Sequence, residues 1–211
     1  MADHDALIDA LSASAQPVRR PMPTHLRTMI WTALALGCGG LLVGLALRPE
    51  TTDWSRPAAA WAGLELATSL ALGVLAMAAA FDIAIAGRKV TAWPWLGAAL
   101  AAWLGAVAGR LAASPEPVGH LGMGGYCYTF MLLAGAPMAV LAVVALRRTR
   151  ALHPGRALAL AGLGASFLAL TLLVLCHSPQ ARLIDELGHL AAGATLIAAT
   201  VLAGRRWVKV D

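Results

Sequence analysis

The sequence predicts an all-α fold: an integral membrane bundle of six helices preceded by a short N-terminal cytoplasmic amphipathic helix. Three observations lead there. Hydrophobic residues make up 59% of the chain and charged residues 13%, with a mean hydropathy of +0.72, a composition well outside that of ordinary soluble domains. Six predominantly apolar stretches of about 19 to 24 residues, the length that a hydrocarbon core of about 30 Å demands, lie between charged or proline-containing breaks. These stretches lack the alternation of a barrel strand, and an unpaired backbone amide in lipid costs several kcal/mol, so helices are the structure that satisfies them.

Residues 1–24 are read as a cytoplasmic head. Asp3, Asp5 and Asp9 stand where a cleavable signal peptide would carry basic residues, and no early apolar core follows them. Leu7, Ile8, Leu11 and Ala15 recur at helical spacing, and Pro17 stops the pattern before Val18, Arg19, Arg20 and Pro21. A helix this short is marginal alone in water, so its apolar face is expected to dock on the membrane surface, on the bundle or on a partner protein; the plainer alternative is a loosely ordered leader.

Residues 25–211 hold the spans, placed at 26–47, 58–81, 93–112, 122–146, 157–175 and 184–203. The connections are too short for a second globular domain or an enzyme domain. Pro94 falls in a first turn, where its missing N–H costs little, whereas Pro137 lies deep enough to kink its helix. Gly40 with Gly44, and Gly105 with Gly109, are spaced to let helix backbones approach, which is read as packing.

Orientation follows from the basic residues. Of the sixteen Lys and Arg residues, only Arg48, Arg56, Arg110 and Arg182 fall on the side opposite the N-terminus, and the other twelve fall on its own side. Positive-inside bias then puts both termini in the cytoplasm. It also accounts for the pI of about 9.7 without nucleic acid, and DNA or RNA binding is discounted. Membrane lipids are the expected surroundings.

Ionisable residues inside the hydrocarbon are few. Glu65 lies about two turns into the second span from its outer end, and Asp82 closes that span on the inner side. No span carries a charge near its midpoint, where a transporter or proton relay commonly places one. Glu65 is expected to pair with an outer arginine such as Arg110.

Cys127 and Cys176 are expected at similar depth near the outer face, the first shortly after the loop containing His120, the second where the fifth span emerges. If the fourth and fifth spans are neighbours, the two sulfurs can approach each other or share a ligand. His177 adjoins Cys176, and Asp185, Glu186 and His189 open the sixth span. Thiolate and imidazole suit soft or borderline metals, so His120, His177 and His189 are candidate accessory ligands for a transient heavy-metal ion; no resident cofactor is expected. No local C-x-x-C pattern is present, and buried free cysteines also serve as small hydrophobes, so a sensor, a metal site, a disulfide and plain packing remain open at this point. Cys38, in the middle of the first span, is read as packing.

The order Leu7-Ile8-Asp9-Ala10-Leu11, then Pro17-Val18-Arg19-Arg20, before a first span ending in Leu47-Arg48-Pro49, resembles the NrsF family. The likeness extends over the whole chain: Cys127 opening the fourth span, the inner Leu146-Arg147-Arg148 turn with Pro154 nearby, a glycine-rich stretch from Gly162 to Gly164, and Cys176 before a last span led by His189. The loop after the fifth span departs from the family pattern. Cys176-His177-Ser178-Pro179 replaces a cysteine followed by proline and acidic residues, and Leu187-Gly188-His189 lacks a tryptophan before the histidine.

The resemblance implies a six-helix inner-membrane anti-sigma factor, not an enzyme, whose partner is an extracytoplasmic-function sigma factor. It implies that Cys127 and Cys176 are sensor thiols for metal or oxidative stress, and that the head, with Leu7, Ile8, Leu11, Arg19 and Arg20, holds sigma. Two other classes are weighed beside it. A quinone-linked thiol oxidoreductase generally needs two communicating cysteine pairs, and the chain has three cysteines. A small metal or solute transporter needs a polar path that the span centres do not offer.

Overall fold

The computed structural model describes residues 2–14, 22–47, 51–56, 58–114, 124–149, 151, 153–178 and 182–208. Seven α-helices and no strands occur among them. The head helix is α1 (Ala2–Ser14), and six helices follow: α2 (Thr24–Ala46), α3 (Ala59–Ile83), α4 (Trp93–Ala112), α5 (Gly124–Arg147), α6 (Pro154–Val174) and α7 (Leu183–Val208). Each of the six is long and apolar enough to cross a membrane, and the chain is a multi-pass membrane protein.

The helix ends follow local chemistry more closely than hydropathy does. The helix expected from residue 157 starts at Pro154, since proline in the first turn lacks an N–H that would be unpaired there anyway. The last span, expected to stop at 203, continues to Val208 and takes Arg205 and Arg206 into its final turn, where cations meet the negative end of the helix dipole. Pro94 sits in the first turn of α4 as expected. Pro137 lies inside α5, which runs on through it to Arg147.

Alternating directions put the start of α2 and the end of α7 at one end of the bundle, the termini end, and Cys127 and Cys176 at the other, the cysteine end. The most buried helix is α6, with α2, α3, α5 and α7 packed around it and α4 leaning on α3. The fourth and fifth spans, α5 and α6, are neighbours as the short link between them predicted. α3 and α6 cross closely: a Cβ on Gly164 would lie 3.0 Å from the Gly73 carbonyl oxygen, and one on Gly73 would lie 2.6 Å from Leu168 Cδ2. Only glycine permits that approach. The glycines expected to mark interfaces do so unevenly, for Gly44 and Gly105 face open space while Gly109 lies under the Trp61 ring.

Large apolar side chains such as Met29, Leu34, Leu41 and Leu45 point outward, as lipid-facing residues do. Cys38 is exposed among them, which corrects its reading as a packing residue: an all-apolar helix hides from sequence which side meets lipid. Exposed tryptophans flank the bundle, Trp54 and Trp61 at the cysteine end and Trp93, Trp95 and Trp207 at the termini end, where amphipathic rings favour the interface. Thr24 Oγ1 donates to Asp82 Oδ1 at 2.7 Å, joining the start of α2 to the end of α3. On α1, Leu7, Ile8 and Leu11 are each more than half exposed, so the head's apolar side chains do not bury against the bundle.

Candidate functional site

The cysteine end holds a concentration of buried charge. Arg110, two residues before the end of α4, is 1% exposed and stands between two carboxylates. Its Nη2 donates to Glu186 Oε1 on α7 at 2.6 Å, and its Nη1 lies 2.9 Å from Glu65 Oε2 on α3. The expected Glu65–Arg110 pair is therefore present, with Glu186 as a second partner. Neither Glu65 oxygen accepts an aligned hydrogen bond, so that contact is an ion pair by proximity. His189 extends the set, its Nδ1 lying 3.2 Å from Glu186 Oε2. Glu65 is six residues into α3, about 9 Å from its start, and Arg110 and Glu186 are nearer their helix ends, so the network lies in the rim of the bundle.

Such a network is fragile in one direction. Each ion gives up several kcal/mol of hydration, which close, hydrogen-bonded partners offset, so removing one partner strands the others. Here the partners come from three helices, and the ion pairs tie α3, α4 and α7 together at one end.

Beside the network, Cys127 on α5, His177 after α6 and Asp185 on α7 offer one ligand atom each, all within 4.8 Å of one another. Cys127 is fully buried and Asp185 is 3% exposed. Cys127 lies within electrostatic range of Asp185, Glu186 and Arg110. The His177 ring stands 6.3 Å from the His189 ring, centroid to centroid, nearly edge-on.

What places His177 is a clip from another connection at the same end of the bundle. Thr52, in the link between α2 and α3, has a hydroxyl 2.7 Å from the Val174 carbonyl and 2.8 Å from the His177 carbonyl, and its single proton is shared between them. The Thr52 oxygen accepts from the His177 amide at 3.2 Å, and the Thr52 amide donates to the Leu175 carbonyl at 3.0 Å. His177 Nδ1 lies 2.9 Å from the Ser178 carbonyl. A carbonyl only accepts, so Nδ1 carries the proton and Nε2 keeps its lone pair. Burial holds this imidazole below its usual range, in the neutral form.

Cys176 is half-buried and packs against the same apolar cluster that contains Cys127. Tyr126 interacts electrostatically with both thiols. Burial pushes the Cys176 thiol up. Among the described residues, Cys176 is not a member of the Cys127–His177–Asp185 group. Of the other candidates, His189 joins Glu186, whereas His120, Arg19 and Arg20 lie outside the described residues.

Thr52 carries no sequence signal, because one threonine in a loop is unremarkable until the turn it holds is known. Asp185 and Glu186 stood out as acids opening a span, but their division of labour, one toward the thiol and one toward Arg110, depends on how α7 is rotated.

No curated protein and no solved structure matches the chain. The family model described as "NrsF: Negative regulator of sigma F" matches residues 11–209. The match spans nearly the whole chain, from the last turn of α1 through α7, and covers the ion-paired rim. The chain belongs to the NrsF family of negative regulators of a sigma factor.

Proposed function

We propose that the chain is an anti-sigma factor of the bacterial inner membrane, with both termini in the cytoplasm, that sequesters an extracytoplasmic-function sigma factor. Heavy metal or oxidant acting on the periplasm-facing thiols Cys127 and Cys176 releases it. The observation that carries the reading is the family match over residues 11–209, which makes a sigma factor the partner.

Two features support the finer assignment. The head offers Leu7, Ile8 and Leu11 as exposed apolar side chains on one short helix, which a partner groove can cover. Arg19 and Arg20 follow it in sequence and supply charge. At the opposite end, Cys127 lies within electrostatic range of an ion-paired rim joining three helices, so a change there alters how those helices meet. Moving a two-state bundle from mostly holding to mostly releasing sigma takes about 5.5 kcal/mol of differential interaction, within the range of a metal–thiolate site or a disulfide.

The test is co-purification of sigma with the full chain from cells before and after metal or oxidant stress. Wild type should lose sigma on stress, Cys127→Ser and Cys176→Ser should retain it, and a chain lacking residues 3–20 should insert normally and capture none. Stress-induced loss of sigma from both cysteine variants would refute the thiol input. Undiminished capture by the truncated chain would refute the head as the sigma-binding segment.

A further inference from the structure

We propose that Cys127, His177 and Asp185 are the ligands of a single divalent cation of borderline softness, a zinc-like ion, and that Cys176 is not one of its ligands. The proposal rests on the reading of the cysteine end as the signal-receiving end only for its biological use; the site itself stands on geometry.

Three independent features point to a cation. The donor set is one thiol, one imidazole and one carboxylate within 4.8 Å of one another, the mixture of nitrogen, sulfur and oxygen that zinc-like ions take in tetrahedral sites. Ligand atoms about 2.0–2.3 Å from such an ion lie about 3.5 Å apart, so the group has only to close by about an ångström. The donors are also prepared. His177 Nδ1 is committed to the Ser178 carbonyl, which leaves Nε2 as the ligand atom and fixes its tautomer as outer-shell partners of metal-bound imidazoles do. Asp185 is 97% removed from solvent, at 3% exposure, yet its Oδ1 has no hydrogen-bond partner.

The third feature is charge. Glu65, Asp185 and Glu186 are buried at this rim with one buried permanent cation, Arg110. Arg110 is engaged by Glu65 and Glu186, and the half-buried Arg182 at the head of α7 has interactions of its own. A divalent ion, bound with loss of the Cys127 proton to solvent, would place positive charge beside the buried Asp185 carboxyl, whose Oδ1 has no hydrogen-bond partner. The ligands come from α5, α7 and the turn after α6, so the ion joins the start of α5 to the α6–α7 connection, two segments that the chain does not link directly at this end. Water completes the tetrahedron, which leaves an exchangeable position.

The experiment uses the full chain in detergent micelles, stripped with a chelator and titrated with Co²⁺, whose thiolate charge-transfer and tetrahedral d–d bands report the ligands directly. Wild type and Cys176→Ser should bind one ion with both bands, displaced by Zn²⁺. Cys127→Ser should lose the charge-transfer band, and His177→Ala and Asp185→Asn should each weaken binding by more than about tenfold, at least what removal of an outer-shell partner costs. Because Asp185→Asn is isosteric and replaces a buried carboxyl whose Oδ1 has no hydrogen-bond partner, it should raise the thermal midpoint of the stripped protein. Absence of the thiolate band in wild type, its loss in Cys176→Ser, or a lowered midpoint for stripped Asp185→Asn would each overturn the site. A parallel co-purification with sigma separates the two claims. Normal cobalt binding with metal-insensitive sigma capture would sink the signalling role and leave the site standing. Zinc-triggered release that survives both His177→Ala and Asp185→Asn would keep the regulator and sink this ligand set.

Discussion

Arg110 Nη2 and Glu186 Oε1 lie 2.6 Å apart in the buried rim of the bundle, joining the last turn of α4 to the first turn of α7. With Glu65 on the other side of the same guanidinium, one arginine holds three helices whose chain connections are elsewhere.

Arg110→Gln strands two buried carboxylates and is expected to destabilise the bundle by about 3–5 kcal/mol, the usual result of breaking a buried pair by removing one member. Arg110→Leu combined with Glu65→Leu and Glu186→Leu removes all three charges and should recover most of that loss. Thermal or denaturant unfolding in micelles checks both, and equal stability of Arg110→Gln and wild type would show that the network contributes little.

Thr52→Val leaves the shape of residue 52 nearly unchanged but removes the hydroxyl that ties the α2–α3 link to the turn carrying Cys176 and His177. The expected cost is modest, about 1–3 kcal/mol for a buried hydrogen-bonded group. Its clearer signature is local: Cys176 should react faster with a maleimide, while Cys127, fully buried, stays protected. The measurement belongs in a Cys38→Ala background, since Cys38 is itself exposed.

The same labelling has a pH dependence with a definite sign. Burial raises the Cys176 thiol above its ordinary value of 9.0, and the thiolate is the reactive form, so its fraction grows about tenfold per pH unit below that point. In metal-stripped protein the Cys176 rate should still be climbing at pH 9 and not yet level. A plateau near pH 7 to 8 would mean a thiol activated by a neighbouring cation.

Leu7→Asp and Leu11→Asp change exposed side chains of α1. Both variants should unfold at the wild-type midpoint, because surface changes away from packed groups stay within about 0.5 kcal/mol. Both should lose sigma in co-purification. A parallel fall in stability and capture would place α1 against the bundle after all.

How much of this was legible beforehand can be judged residue by residue. The spans were, because hydrocarbon thickness fixes a helix length that composition cannot disguise. Their ends were less so. Pro154 and the Arg205–Arg206 pair lie inside helices although hydropathy excludes them, for the chemistry of helix termini tolerates both. Glu65 and Arg110 could be paired on paper because buried charges need partners, but Glu186 as the second partner required the position of α7 against α4. The two cysteines were legible as a pair at one end, whereas the nearest donors to Cys127 proved to be His177 and Asp185. Sequence order carries no information about which face of α5 meets which face of α7, and the Thr52 clip joins segments with no shared pattern at all.

The glycine crossing has a mechanical consequence. Gly73 is fourteen residues into α3, about 21 Å along it, and Gly164 is ten residues into α6, about 15 Å, so the two backbones touch near mid-bundle. A tight backbone contact between straight rods acts as a fulcrum: it resists sliding and separation but permits a change of crossing angle. A change of crossing angle that spreads the two helices at one end spreads them by a similar amount at the other. On that geometry, an ångström-scale change at the ion-paired rim is expected to be felt across the whole thickness, at the end where α2 begins.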